Sequence, residues 1–314
     1  MNSRLPQWLN GPMLLVTLFW GFNFVAMKMA FSEIGVSASM LGRYLVMLLM
    51  LWGWAWIARR RLRYRKEDVF PLLWQGFVSM GLYIVVFMEG VHRSGAGEAA
   101  IMLATAPIFG MFIAAAMGEE RFNLAIFLCA VLALVGVAGV AMGATSATGN
   151  TLFGNLLVLI SAALWAYSAA LSRKLVRRYS PLDMLTLGLP GAAILLIPYG
   201  LLATWNAPWD ELTSSGWVGL LWLILLGGLF GFLLFYRGVQ AVGVSGAMVY
   251  QFCVPVVAAL SAWIFLQAPM SGLQWFSMGV VIASVAAASY LRFQTSKKGP
   301  SAVANQNIDE SENK

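Results

Sequence analysis

The chain has 314 residues, 60% hydrophobic and 11% charged, with a mean hydropathy of +0.78. A soluble domain runs at about 45–50% apolar and about 25% charged. The apolar residues spread along nearly the whole length, which excludes a pair of soluble domains and leaves no polar block for a separate catalytic domain. A formal charge of +7 points to nucleic acid only until the basic residues are located. The composition is that of an all-α integral membrane protein.

Residues 1–10 are polar, and Arg4 is followed by no small-residue cleavage site, so no cleavable signal peptide is expected. A bilayer core about 30 Å thick takes roughly 20 apolar residues per helix. Ten such spans are predicted, near 12–31, 37–58, 69–91, 95–117, 122–143, 151–172, 182–203, 213–236, 243–266 and 272–292. The tail 294–314 is rich in Ser, Asn, Lys and Glu and is expected to be disordered.

With the N-terminus inside, 17 of the 20 Lys and Arg residues fall on the cytoplasmic side. They include the run from Arg59 to Lys66 and the cluster Arg173, Lys174, Arg177 and Arg178. This satisfies the positive-inside rule and places both termini in the cytoplasm, in a cell inner membrane. Trp52, Trp54 and Trp56 fit an aromatic belt beside the arginine run. The expected partners are therefore the bilayer and a small-molecule solute, with no nucleic acid, in a monomer or homodimer.

The chain repeats internally. A shift of 148 lays Gly90-Val91 on Gly238-Val239, Gly95 on Gly243, Ala99 on Ala247 and Pro107 on Pro255, and brings Glu119 to Gln267. A shift of 145 lays Trp20 on Trp165 and Lys28 on Arg173. Two halves follow, 1–146 and 147–293, of five spans each. Five is odd, so the second half crosses in the opposite sense. Inverted repeats meeting at the midplane are how many secondary transporters alternate access.

At these residues the sequence resembles the drug/metabolite transporter superfamily, and within it the EamA-like members with two EamA-type repeats. The matching stretches are Trp20 through Lys28, Arg43-Tyr44, Glu89-Gly90-Val91 through Pro107 to Glu120, and Tyr236 through Pro255 to Gln267. The resemblance implies a ten-helix fold with cytoplasmic termini and movement of small metabolites, often amino acids, usually outward. Gln267 departs from it, standing where the second repeat usually ends in an acid.

Polar groups inside spans are the default functional candidates, because each is costly in hydrocarbon unless paired or hydrated. Gln75, Ser79 and Tyr83 recur every four residues, and Ser161, Trp165, Ser168 and Ser172 at four, three and four. Such spacings share one helix face. With Trp20, Asn23, Glu98, Thr105, Tyr250 and Gln251 they can point into one cavity. The substrate-binding set is therefore Trp20, Asn23, Tyr83, Glu98, Thr105, Trp165, Ser168, Tyr250 and Gln251. The serines equally fit helix packing, since Ser and Thr commonly bond their own helix backbone. Gly227-x-x-x-Gly231 and Gly139-x-x-x-Gly143 read as close-packing motifs.

Lys28, Arg43, Glu89 and Glu98 fall at one depth in the outer leaflet and form a candidate ion-paired gate. Snorkelling of Lys28 and Glu89 to the interface is the alternative. Pro107 and Pro255 are hinge candidates. The spans near 122–143 and 272–292 carry no mid-span ionisable group and read as scaffold or as a lipid-facing or dimer surface. No catalytic residue, metal or cofactor is expected: Cys129 and Cys253 lie in apolar runs. Gly243-Val244-Ser245-Gly246 matches a serine-protease pattern. The one histidine, His92, lies on the opposite side of the membrane in this topology, out of reach as its base. The reading is a carrier exporting an amino acid, aromatic ones favoured by ring-on-ring contact. The alternatives are a nucleoside, polyamine or drug on the same fold, or a facilitator without coupling.

Overall fold

The computed structural model describes residues 9–93, 99, 102–118, 120–142, 152–266 and 270–312. Among them every regular element is a helix. In chain order these are α1 Gly11–Ile57, α2 Val69–Gly76, α3 Tyr83–Arg93, α4 Ala106–Ala116, α5 Leu124–Met142 and α6 Leu152–Leu175. They continue with α7 Pro181–Gly188, α8 Ala193–Trp205, α9 Ser214–Ile224, α10 Gly231–Val249, α11 Cys253–Leu266 and α12 Gly272–Glu312. Single π-helical turns, Phe77–Leu82 and Leu225–Phe230, join α2 to α3 and α9 to α10.

Six of the resulting helices are long and apolar enough to cross a membrane: Gly11–Ile57, Lys66–Arg93, Leu152–Leu175, Pro181–Trp205, Ser214–Ser261 and Gly272–Gln294. Ala106–Ala116 and Leu124–Val140 are shorter apolar helices. Gly11–Ile57 and Ser214–Ser261 have 47 and 48 residues, about twice what one crossing takes. Each is broken at a glycine. Gly35 has φ 75°, ψ 172° and Gly243 has φ 76°, ψ 176°, a region open essentially to glycine alone. The predicted ends near 31–37 and at 243 fall on these breaks.

Packing crosses between the halves. The α1 helix lies against α8, α9, α10 and α11, while α6 lies against α3 and α4. Helices α5 and α12 pack on each other to one side. Their outer faces, with Leu128, Val135, Phe276 and Ile282, are exposed, as suits a surface turned to lipid.

Glycines bring helix backbones together. A Cβ on Gly76 would meet the Gly188 carbonyl, one on Gly191 the Leu73 carbonyl, and one on Gly139 the Ser277 side chain. Gly143 lies outside the described residues.

Candidate functional site

The crossed packing leaves a narrow cavity of about 70 Å³ at the centre. A water needs about 10–15 Å³ on this measure, so several fit. Its aromatic wall is Trp20, Phe24, Tyr83, Phe87, Trp165 and Phe232, and its polar groups are Asn23, Arg43, Tyr83 and Gln251.

Trp20 on α1 and Trp165 on α6 meet edge to face, with ring centroids 5.3 Å apart. Trp20 reaches this position because Gly231 has no side chain; a Cβ there would run into its Nε1. Trp20 Nε1 donates to the Gly227 carbonyl at 3.0 Å. That carbonyl lies in the π turn Leu225–Phe230, where widening leaves backbone acceptors free of the helical ladder. Trp165 Nε1 donates instead to Gln251 Oε1 at 2.8 Å. Its ring lies 5.0 Å from Tyr83 and 4.7 Å from Phe235.

Since the indole N–H fixes the Gln251 carbonyl oxygen, its amide nitrogen must point the other way. That Nε2 is buried and unpaired, as is Asn23 Oδ1. Arg43 is 5% exposed. Its guanidinium lies 6.0 Å from the centre of the Phe232 ring, within cation–π range. No carboxylate among the described residues lines the cavity. One buried cation and two unsatisfied amide atoms thus share an aromatic box.

Five of the nine predicted binding residues line this space: Trp20, Asn23, Tyr83, Trp165 and Gln251. Thr105 bonds the Met102 carbonyl at the head of α4, and Ser168 bonds the Trp165 carbonyl in the helix interior. Tyr250 faces away from the cavity. Its hydroxyl accepts the Asn10 N–H at 2.9 Å, and it lines a second cavity of about 790 Å³ with Glu120, Arg173 and Arg292. The 3-10 turn Tyr250–Phe252 therefore stands between the two cavities. Glu98, Gly95, Glu119 and Gln267 lie outside the described residues.

Of the gate set, Lys28 is exposed and Arg43 lines the cavity. Glu89 holds Arg93 at 2.6 Å and accepts from the Tyr199 hydroxyl. Pro107 stands in the first turn of α4, and Pro255 is the third residue of α11. The first turn is where a missing N–H costs a helix least.

The polar stripes divide. The π turn falls between Gln75 and Tyr83 and shifts the helical phase, so the period-four face does not persist. Gln75 Nε2 donates to the Tyr236 hydroxyl at 2.8 Å, with Ser79 alongside. Ser161 and Ser172 bond backbone carbonyls three residues back. Phe87 and Phe232 carried no polar mark in the sequence. Their signal was position, one turn from Tyr83 and one residue after the Gly227–Gly231 motif.

Three polar clamps tie helix ends together. Glu33 accepts from the Thr213 backbone and hydroxyl at 2.8 and 2.7 Å. Buried Asp68 accepts from Arg178 and the Tyr179 hydroxyl, each at 2.7 Å. Burial pushes the Tyr179 phenol above its ordinary value, so it stays a donor. Glu120 accepts from the Val244 and Ser245 backbones and the Ser245 hydroxyl, and pairs with Arg292 at 3.1 Å. The Ser245 hydroxyl of the protease-like pattern is thus engaged by a structural carboxylate. Among the described residues no three His, Cys, Asp or Glu side chains gather as a metal site.

The fold and the cavity define a multi-pass helical membrane protein with an aromatic, singly cationic centre. The model of the EamA-like transporter family matches twice, over residues 11–142 and 152–290, and the chain belongs to that family. It is 25% identical over 225 residues to the uncharacterized transporter YetK of Bacillus subtilis (strain 168), covering 70% of this chain and 68% of the relative. It is also 25% identical over 255 residues to a protein of Streptantibioticus cattleyicolor named "Probable terminal-alkyne amino-acid exporter", covering 81% and 84%. One solved structure, named only "Crystal structure of protein", matches with TM-score 0.71 at 18% identity over 90% of this chain and 97% of its own.

Proposed function

We propose that the chain exports a zwitterionic amino acid across the cell inner membrane by alternating access between two inverted five-helix repeats. The observation that carries this reading is the placing of buried Arg43 and the unpaired Gln251 Nε2 and Asn23 Oδ1 around one aromatic cavity. Arg43 and Gln251 Nε2 offer donors to a carboxylate, and Asn23 Oδ1 offers an acceptor to an ammonium. The aromatic wall favours an amphipathic or aromatic side chain by about 0.5–1.5 kcal/mol per ring pair beyond burial. A polyamine would place cations beside an uncompensated guanidinium. The relative named as an amino-acid exporter agrees with the assignment.

Several features support ten crossings in two related halves. The π turns Phe77–Leu82 and Leu225–Phe230 lie 148 positions apart, the same shift that relates the sequences. The two overlong helices, broken at Gly35 and Gly243, each supply two crossings. Pro107 and Pro255 follow non-α turns at corresponding places and are the hinge candidates.

The test is efflux of labelled amino acids from liposomes carrying the purified protein, with and without an imposed pH gradient. Efflux of a zwitterion, and loss of it in Arg43→Gln that still runs as a folded species, is the expected result. Gradient dependence separates coupled export from facilitated diffusion. Transport of an amine lacking a carboxylate, undiminished in Arg43→Gln, would overturn the assignment.

A further inference from the structure

A second site lies at one end of the bundle, away from the central cavity. The chain leaving α1 and the chain joining α6 to α7 flank an open cavity of about 630 Å³. Six arginines line it, Arg60, Arg61, Arg63, Arg65, Arg177 and Arg178, against a single carboxylate, Asp183. Orientation in the membrane is satisfied by lysine and arginine alike, but every cation lining this space is arginine. The planar guanidinium fork matches phosphate oxygens in a way an ammonium does not.

Internal pairing does not exhaust the charge. Asp183 Oδ2 takes Arg60 at 2.8 Å, Glu67 takes Arg65 at 3.3 Å, and Asp68 takes Arg178 at 2.7 Å. Among the described residues no carboxylate pairs with Arg61 or Arg63.

The turn that delivers these arginines is itself constrained. Arg60 N–H returns to the Ala55 carbonyl at 2.9 Å and Arg59 N–H to the Trp56 carbonyl at 3.1 Å, the two bonds of a Schellman motif. Its left-handed position, ordinarily glycine, is Arg59 at φ 48°. The cavity also adjoins a lipid-suited surface. Arg60 lies 5.3 Å over the Trp54 ring, and Trp56 and Ile57, immediately before the turn, are 82% and 76% exposed.

We infer that this arginine-lined cavity binds the phosphate of an anionic phospholipid headgroup, with the acyl chains lying along the exposed Trp54, Trp56 and Ile57. Basic pockets between membrane helices are suited to such headgroups. Inorganic phosphate offers the same chemistry without the chains, and the test separates the two.

The protein in neutral detergent is titrated with phosphatidylglycerol, phosphatidylcholine or inorganic phosphate, and binding is read by native mass spectrometry and by thermal shift. Phosphatidylglycerol is expected to bind and stabilise the parent, and phosphatidylcholine is not. The double variant Arg61→Gln/Arg63→Gln should weaken phosphatidylglycerol about 30-fold, from roughly 1 kcal/mol per basic residue. Lys297→Gln/Lys298→Gln removes equal charge elsewhere and should leave it unchanged. Phosphate alone reproducing the full shift assigns the site to a soluble anion and overturns the lipid. Equal loss in both double variants, or equal binding of both lipids, overturns the site.

Discussion

Trp20 and Trp165, 145 positions apart, meet edge to face at 5.3 Å in the centre of the molecule. Their N–H groups diverge, one to the Gly227 carbonyl and the other to Gln251 Oε1. The two tryptophans therefore make one aromatic floor with two different polar ends. A solute with two different polar ends is what such a floor can orient.

The floor depends on two missing side chains. A Cβ on Gly231 would strike Trp20 Nε1 and one on Gly227 would strike the Asn23 amide. Gly231→Ala and Gly227→Ala should each cost about 1–3 kcal/mol through overpacking and sharply reduce transport. Melting temperature in detergent and liposome efflux check this. Gly279→Ala, with nothing within 4 Å of the new carbon, should leave transport at the parent level.

Gly35 separates backbone strain from crowding. Nothing lies within 4 Å of a Cβ there, yet φ is 75°. Gly35→Ala should therefore destabilise by about 1–3 kcal/mol through conformation alone. Gly53→Ala, also in open space but inside a regular stretch of α1, should stabilise by about 0.5–1 kcal/mol. Equal effects from the two would refute the distinction.

Asp68 is 4% exposed and both its oxygens are engaged. Asp68→Asn leaves Arg178 and Tyr179 each short of a charged acceptor, and a loss of about 1.5–3 kcal/mol is expected. Arg178→Gln strips the buried Asp68 carboxylate of its countercharge and leaves it only the Tyr179 hydroxyl, so it should cost at least as much. Chemical or thermal unfolding of the three proteins side by side orders them.

Arg59 holds a left-handed conformation at the end of α1. Arg59→Gly should stabilise the folded protein by about 1–2 kcal/mol, the cost of that conformation for an ordinary residue. A lower melting temperature in Arg59→Gly would mean that its side chain contributes more than its backbone gives up.

Much of the membrane architecture was legible because hydrocarbon imposes long apolar runs and the arginines between them stand out. Trp20, Asn23, Trp165 and Gln251, which line the cavity, stood out in the sequence because a polar or amphipathic group deep in a span needs a reason. Ser161, Ser168 and Ser172 carried the same mark, and their bonds to their own helix backbone leave none outside it. Spacing cannot separate those two fates. Nor could a period of four foresee the π turn between Gln75 and Tyr83, which sends Gln75 to Tyr236 while Tyr83 reaches the cavity. Phe232 and Phe87 were hidden for the opposite reason: an apolar ring in an apolar helix looks the same whether it faces lipid, core or solute.

The crossed packing has a mechanical consequence. With α1 seated on α8 to α11, and α6 on α3 and α4, a motion that kept each half of the sequence rigid would have to peel these helices from their neighbours. If the chain alternates access as proposed, the moving bodies would be cut across the chain, each combining helices from both halves. Distance labels placed within one half would then report the motion, while a pair spanning α1 and α9 would stay fixed.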